Sequence, residues 1–585
     1  MSHSVAATIG EALARVHGAE TLDPDAFLRH PVVIDRLTQL KFAYEFAVKP
    51  GLALEFGVFK GTSLRALALH DRAARFTGFD SFAGLPEAWH RSPTSTYEAG
   101  HFALPRLPLV PANVDLVQGF FDDTLADWLA ANPGPVGFLH VDVDLYSSAR
   151  HVLDLLTDRL VDGAVIVFDE LGDWKDEGVY PFWREGEWRA LEEWLRATGM
   201  RFRILARGTR FEAAIQVFRQ PPKPMGPAEE LTFATRLWTL GAKDAAVAVL
   251  SALTAARPNW LAGFHRLAQW QTQSRRVDTA LSTIATIWAY AQQRPDHPSA
   301  LDLFHLRAAN KLRQNDLAGA EADIRHFLGQ RPAHATGLAL LGSIAARNHD
   351  HKTAARAWAD AFDVSGLESH RERAETERIL AEIRPEFAPM RSSLLMQHLV
   401  DDRSFVTVLD VGSGAGAQAD VLRRHGKRVT EVDYGNSYHF EANSGADVVC
   451  GDFMQLAFEA QFDCVLASHV LEHQPNVQAF LRKLHSHLKE GGVLAISVPP
   501  LKHEIVGGHV SLWNAGLVLY NLVLAGFDCR QPWVRQYGYN ISVVIEKRTI
   551  DPAGVVYDKG DIDLIAPFLP DGFKEGFNGD IRRLG

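Results

Sequence analysis

The sequence predicts two α/β domains, each a mostly parallel sheet, joined by an all-α segment of helical repeats. Three observations carry this. Short β-rich runs alternate with amphipathic stretches over residues 32–218 and again over 390–550, the pattern of βαβ units. Between them, from 228 to 365, apolar residues recur only at helical spacing. Within that stretch Pro258, Pro295 and Pro332 are evenly spaced, 37 residues apart (295 − 258 and 332 − 295), a period typical of stacked helix pairs.

The first block reads as strands at LALEF, RFTGFD, VDLVQG, VGFLHVDVD, GAVIVFDE and EAAIQVF. It ends at RQPPKPMGPA (219–228), where four prolines in ten residues break either kind of element. In the helical segment each spaced proline follows a helix such as AVAVLSALTAARP or AGAEADIRHFLGQRP. Repeats of this kind, which resemble a degenerate tetratricopeptide pattern, stack into a continuous core with a concave groove. The segment serves either as a spacer or as a docking surface for a protein partner. The second block reads VTVLDVGSGAG, RVTEVDYG, ADVVCGDF, FDCVLASHVLEH and GGVLAISVPP, closed by a hairpin from GFDCRQPWV and YNISVVIEKR. The expected domains are 1–220, 221–370 and 371–550, with a tail over 551–585.

Composition narrows the function. A chain of 585 residues exceeds one ordinary core, and 47% hydrophobic with 22% charged residues rules out wholesale disorder. The net charge of -11 argues against a dedicated nucleic-acid binder. Three cysteines, none in a CxxC pair, exclude a disulfide framework and argue against a structural zinc site. No basic-then-apolar leader opens the chain, and the apolar run at 515–527 is too short to span a bilayer. A cytoplasmic location is expected.

In the second block Asp410, Gly412, Gly414 and Gly416 end a strand and open a helix, where glycine lets a ligand approach backbone N–H groups. Asp433 ends the next strand, suited to accept both hydroxyls of a ribose. Asp452 ends the third, placed to accept from an adenine amino group while Phe453 packs on the ring. The dinucleotide fingerprint GxGxxG fails because position 417 is Ala. With the acid two residues before the first glycine, and with ASHVLEHQPN and LKEGGVLAISVPP following, residues 390–550 resemble class I S-adenosylmethionine (SAM) methyltransferases. The resemblance implies a Rossmann-like, seven-stranded sheet with SAM at the carboxyl ends of its strands, here without a metal. His469 and His473 share a face at i,i+4, but no third metal ligand is apparent, so structure or substrate contact is the preferred reading. His503, Glu504 and His509, after the fifth strand, are candidate bases.

The first block carries a looser glycine turn, LEFGVFKGTS, with Glu55, Gly57 and Gly61, followed by FTGFDSFAGLPEAW with Asp80 positioned for ribose beside Ser81. Asp142 ends one strand, and Asp169 with Glu170 ends the next. Such carboxylates repel one another unless a cation lies between them, and hard oxygen donors favour Mg²⁺ or Ca²⁺. The alternative is that they merely cap strands and helices. FDSFAGLPE, HVDVDLYSS and DGAVIVFDE over residues 30–215 resemble the macrocin-type sugar O-methyltransferases. That resemblance implies SAM in this domain too, Mg²⁺ on Asp142, Asp169 and Glu170, and a sugar or glycan acceptor; Asp142, beside the metal, is then the expected base. Glu170 stands where Asp is usual, and Val143 and Ala164 where Gly is frequent. The expected function is two-headed O-methylation of a sugar, glycan or glycosylated metabolite. Its competitor is a helical-repeat scaffold whose flanking domains are inactive or regulatory.

Overall fold

The computed structural model describes residues 22–401, 405–435, 440, 448–502, 504–551 and 562–585. The chain divides into two compact units, Met1–Gln314 and Asn315–Gly585, each built round one eight-stranded sheet.

The strands of the first unit are β1 (Val33–Ile34), β2 (Leu52–Phe56), β3 (Phe76–Asp80), β4 (Trp89–Ser92), β5 (Ser95–Tyr97), β6 (Val114–Gln118), β7 (Val136–Val141), β8 (Leu160–Phe168), β9 (Arg201–Gly208) and β10 (Ala213–Phe218). Their order is β6-β3-β2-β7-β8-β10-β9-β1. Only β10 runs against the rest, antiparallel to both β8 and β9. The chain leaves β2 for β3 on one side and returns to β7 on the other, so a crevice opens at the carboxyl end of β2. All six residues of β7 are buried, as a strand covered on both faces requires. Two features exceed the seven strands expected: the edge strand β1, and a separate β4–β5 hairpin over the crevice side. The strand β9 was also not among those expected from the sequence. It carries arginines at 201, 203 and 207, yet Arg203 lays its guanidinium 4.8 Å from the Phe218 ring and Phe202, Ile204 and Leu205 are buried.

The helices Pro227–Thr239, Lys243–Ala256, Leu261–Gln273, Val277–Gln292 and Pro298–Arg313 complete this unit. Pro258 and Pro295 each fall just after the second helix of a pair, where their fixed φ and missing N–H end it. The proline-rich segment before them does not leave these helices loose. Phe233 meets Phe42 edge-on at 5.1 Å and Phe46 at 5.5 Å, in a core continuous with the sheet's.

In the second unit the helices Leu317–Gln330, Ala335–Arg347, His351–Ser365 and Glu368–Leu380 precede the sheet. Its strands are β11 (Thr407–Val411), β12 (Arg428–Asp433), β13 (Val448–Cys450), β14 (Phe462–Ser468), β15 (Leu488–Val498), β16 (Trp533–Tyr537), β17 (Asn540–Glu546) and β18 (Arg583–Leu584). The order β13-β12-β11-β14-β15-β17-β16-β18 repeats the arrangement of the first sheet, again with a two-residue edge strand beyond the expected seven. The expected terminal hairpin is β16–β17. Among the described residues no helix is long and apolar enough to cross a membrane.

Candidate functional sites

A cavity of about 840 Å³ opens at the carboxyl ends of β2, β3 and β7. Gly57 turns the chain there at φ 87°, and a Cβ in its place would lie 1.7 Å from the Asp142 carbonyl oxygen, so only glycine fits. Asp80 ties the turn down: its carboxylate accepts from the backbone N–H of Val58 (2.8 Å), Phe59 (2.7 Å) and Phe82 (2.6 Å). Gly57, Asp80, Ser81, Asp142 and Glu170 all line this cavity. Glu55, Gly61 and Asp169 do not. Gly61 instead starts the helix Thr62–His70 in the left-handed conformation. Glu55 is fully buried and accepts from Ser63 Oγ (2.8 Å), while its other oxygen lies 2.9 Å from His140 Nδ1.

The acidic cluster contains its own cation. Arg36, from the helix Arg36–Tyr44, donates through Nη2 to Asp142 Oδ2 at 2.8 Å and through Nε to Asp169 Oδ1 at 2.5 Å. His140 Nε2 lies 3.6 Å from Asp169 on the far side. Burial disfavours the imidazolium, but hydrogen bonds to Asp169 and Glu55 push His140 up to about 10. Burial likewise raises Asp169, yet His140 and Arg36 outweigh it and hold that carboxyl below its usual range. Asp142 is driven well above it by burial and then by the charge of Asp169. Glu170 stands apart from the Arg36 pair. Its nearest guanidinium is Arg91 at 3.6 Å, one carboxylate oxygen is buried without a partner, and burial pushes it up to about 9.

The expected Mg²⁺ triad is therefore not assembled as an open cage. The donors that converge within 4.8 Å are His140, Asp142 and Asp169, with Glu170 outside the group and both aspartates bonded to Arg36. Asp142 and Asp169 of the expected Mg²⁺ set thus fall in one group of possible metal donors, with His140 in the place expected of Glu170.

Two further residues belong to this site. Asp144 lines the cavity two positions past Asp142, in the left-handed region at φ 62°, a conformation that costs a non-glycine residue and clusters at functional sites. Burial, with the Asp169 charge adding, pushes it up to about 7. The DVD triplet contained this signal, since it carries a second acid two residues past the strand-end Asp142. Arg36 had none, being 106 residues from Asp142 in the chain. The β4–β5 hairpin supplies an aromatic wall, where Trp89 and Tyr97 stack at 5.3 Å.

In the second sheet a cavity of about 510 Å³ occupies the equivalent place, lined by Gly412, Gly414, Asp433, Asp452 and Phe453. Asp433 Oδ2 accepts from Gly414 N and Oδ1 from Gly435 N, both at 3.0 Å. Asp452 accepts from Met454 N at 2.9 Å and from Tyr434 Oη at 3.3 Å. Phe453 packs edge-on to Phe480 at 5.7 Å. Asp410 lies behind the cavity wall. Among the described residues neither of its buried oxygens has a hydrogen-bond partner, and burial, then the neighbouring Glu431, pushes it up to about 7. An orphaned buried carboxylate beside the glycine turn suits a cationic ligand such as SAM. Glu504 and His509 lie in the loop after β15, and His503 lies outside the described residues.

Comparison with known proteins finds a match in each unit. Two family models, each described as a methyltransferase domain, match residues 54–171 and 409–496. The chain is similar to the ubiquinone biosynthesis O-methyltransferase of Paramagnetospirillum magneticum, with 36% identity over 124 residues, 18% of this chain and 50% of that protein. It is also similar to the trans-aconitate 2-methyltransferase of Deinococcus radiodurans, with 30% identity over 118 residues, 19% of this chain and 44% of that protein. Among solved structures, the calicheamicin methyltransferase CalS11 matches at 26% identity and a TM-score of 0.26, over 31% of this chain and 77% of that one. The chain spans about half the length of the curated relatives it matches. Both sheets thus belong to methyltransferase domains of the SAM-dependent type, with an all-helical region between them.

Proposed function

We propose that the chain is a two-site SAM-dependent O-methyltransferase acting on hydroxyls of a sugar, glycan or glycosylated metabolite. One observation carries the reading: in each sheet a cavity sits where a glycine turn, the acid ending the second strand and the end of the fourth strand converge. SAM, when bound, supplies an electrophilic methyl group on a sulfonium. Gly57 with Asp80 and Ser81 would hold it in the first domain; Gly412, Gly414, Asp433, Asp452 and Phe453 would do so in the second, with Asp410 balancing its charge from behind.

In the first domain Asp144 is the group proposed to take the proton from an acceptor hydroxyl, because it faces the cavity while Asp142 is held by Arg36. Arg36 performs the neutralising task that the resemblance assigns to Mg²⁺, so Asp142 and Asp169 stay in place without an added ion. The aromatic faces of Trp89 and Tyr97, beside the polar Ser147 and Glu87, suit the mixed surface of a sugar. Similarity of the chain to O-methyltransferases and the macrocin-type motifs support oxygen as the acceptor atom.

The test is transfer of a labelled methyl group from SAM to a panel of hydroxylated glycosides, with Asp433→Ala present so that only the first site works. Transfer should survive EDTA and fall at least about 100-fold in Asp144→Asn. Loss of transfer on chelation, or full activity in Asp144→Asn, contradicts the assignment.

A further inference from the structure

The second domain brings together three metal-binding side chains that the sequence keeps apart. His473 and Glu472 lie in the short 3-10 turn after β14, and His509 in the loop after β15. One ligand atom of each falls within 4.8 Å of the other two.

The grouping is fixed by the backbone. Val510 N and Ser511 N both donate to the Glu472 carbonyl oxygen, at 2.9 and 3.2 Å, which pins the loop carrying His509 to the turn carrying Glu472. His473 Nδ1 lies 2.8 Å from the Gly508 carbonyl oxygen. A carbonyl only accepts, so Nδ1 carries the proton and Nε2 keeps its lone pair, the orientation that metal-bound histidines take from an outer carbonyl. Gly508 is at φ 79°, and a Cβ there would press on the His473 ring at 3.0 Å.

Glu472 supplies the independent sign of a ligand. Its side chain is 1% exposed, and among the described residues Oε2 is buried without a hydrogen-bond partner. Oε1 lies 3.2 Å from His469 Nδ1 and 3.9 Å from His473 Nε2. A buried carboxylate oxygen with no partner is costly unless a cation completes it.

From this we infer a divalent transition-metal site formed by Glu472, His473 and His509 at the edge of the second cavity. Two imidazoles and one carboxylate are the donor set of open, three-ligand zinc centres, and they favour zinc or cobalt over magnesium. Of the three ligands His473 lines the cavity, so an ion held there would sit at the cavity's edge, within reach of an acceptor oxygen. That last step rests on the methyl-transfer reading; the metal site itself does not.

The experiment is titration of chelator-stripped full-length protein with Co²⁺, followed by its visible absorption, then displacement by Zn²⁺. Wild type should bind one Co²⁺ with the intense spectrum of a low-coordinate site. His473→Ala and His509→Ala should each weaken binding more than about tenfold, and Asp142→Asn should leave it unchanged. S-adenosylhomocysteine (SAH) binding, measured on the same variants, reports separately on the cofactor reading and on whether each variant is folded. Absence of Co²⁺ binding, equal binding in folded His473→Ala and His509→Ala, or loss in Asp142→Asn instead, overturns the site.

Discussion

Arg36 lies inside the acidic cluster that the sequence marks as a metal site in the first domain. Of the three acids at adjacent strand ends, Asp142 and Asp169 share a cation that the protein supplies from a helix outside the acidic motifs, while Glu170 does not. Removing it by Arg36→Met leaves Asp142 and Asp169 crowded and should cost about 2–3 kcal/mol, the worth of charged hydrogen bonds, read by denaturant unfolding. Restoring stability with Asp142→Asn in the same chain would tie the loss to that pair. Asp410 gives a pH signature. Its folded value near 7 lies above the roughly 3.9 of an unfolded aspartate, so the folded state holds a proton that the unfolded chain has lost. Wild type should therefore gain stability relative to Asp410→Asn as pH falls from about 7 to about 4, and the difference should be flat outside that window. A difference constant across pH would contradict the burial of an unpaired carboxyl. The sequence made the strand-end acids legible because each follows a β run at βα spacing. It left Arg36 and His509 without roles as partners, since each meets its cluster only through the tertiary fold.

At the scale of elements, continuous apolar runs made the central parallel strands readable, because β2, β7, β8, β11, β14 and β15 are buried on both faces. The edges were not. β1 and β18 are two residues long, too short for any periodicity, and β9 disguises a half-buried strand with three arginines. The helical segment was readable from its period, but not its attachment. Phe233 joins the first helix pair to the core beneath the sheet through Phe42 and Phe46. Phe233→Ala should destabilise the first unit by about 3–5 kcal/mol, seen in the denaturant midpoint. A change below about 1 kcal/mol would mean that the helices do not share that core.

Across the whole chain the same sheet order occurs twice, and each copy places an acid from its second strand against its glycine turn. Asp80 and Asp433 thus do equivalent work in two sites of unequal size, about 840 and 510 Å³. The acidic net charge of -11 fits small-molecule ligands better than nucleic acid. The most direct test is calorimetric titration of SAH into the full-length protein, alongside Asp80→Ala and Asp433→Ala. Two sites per chain in the wild type, with one removed by each substitution, is the predicted result. A single site abolished by one substitution and untouched by the other, or no binding at all, would contradict a chain with two working methyltransferase sites.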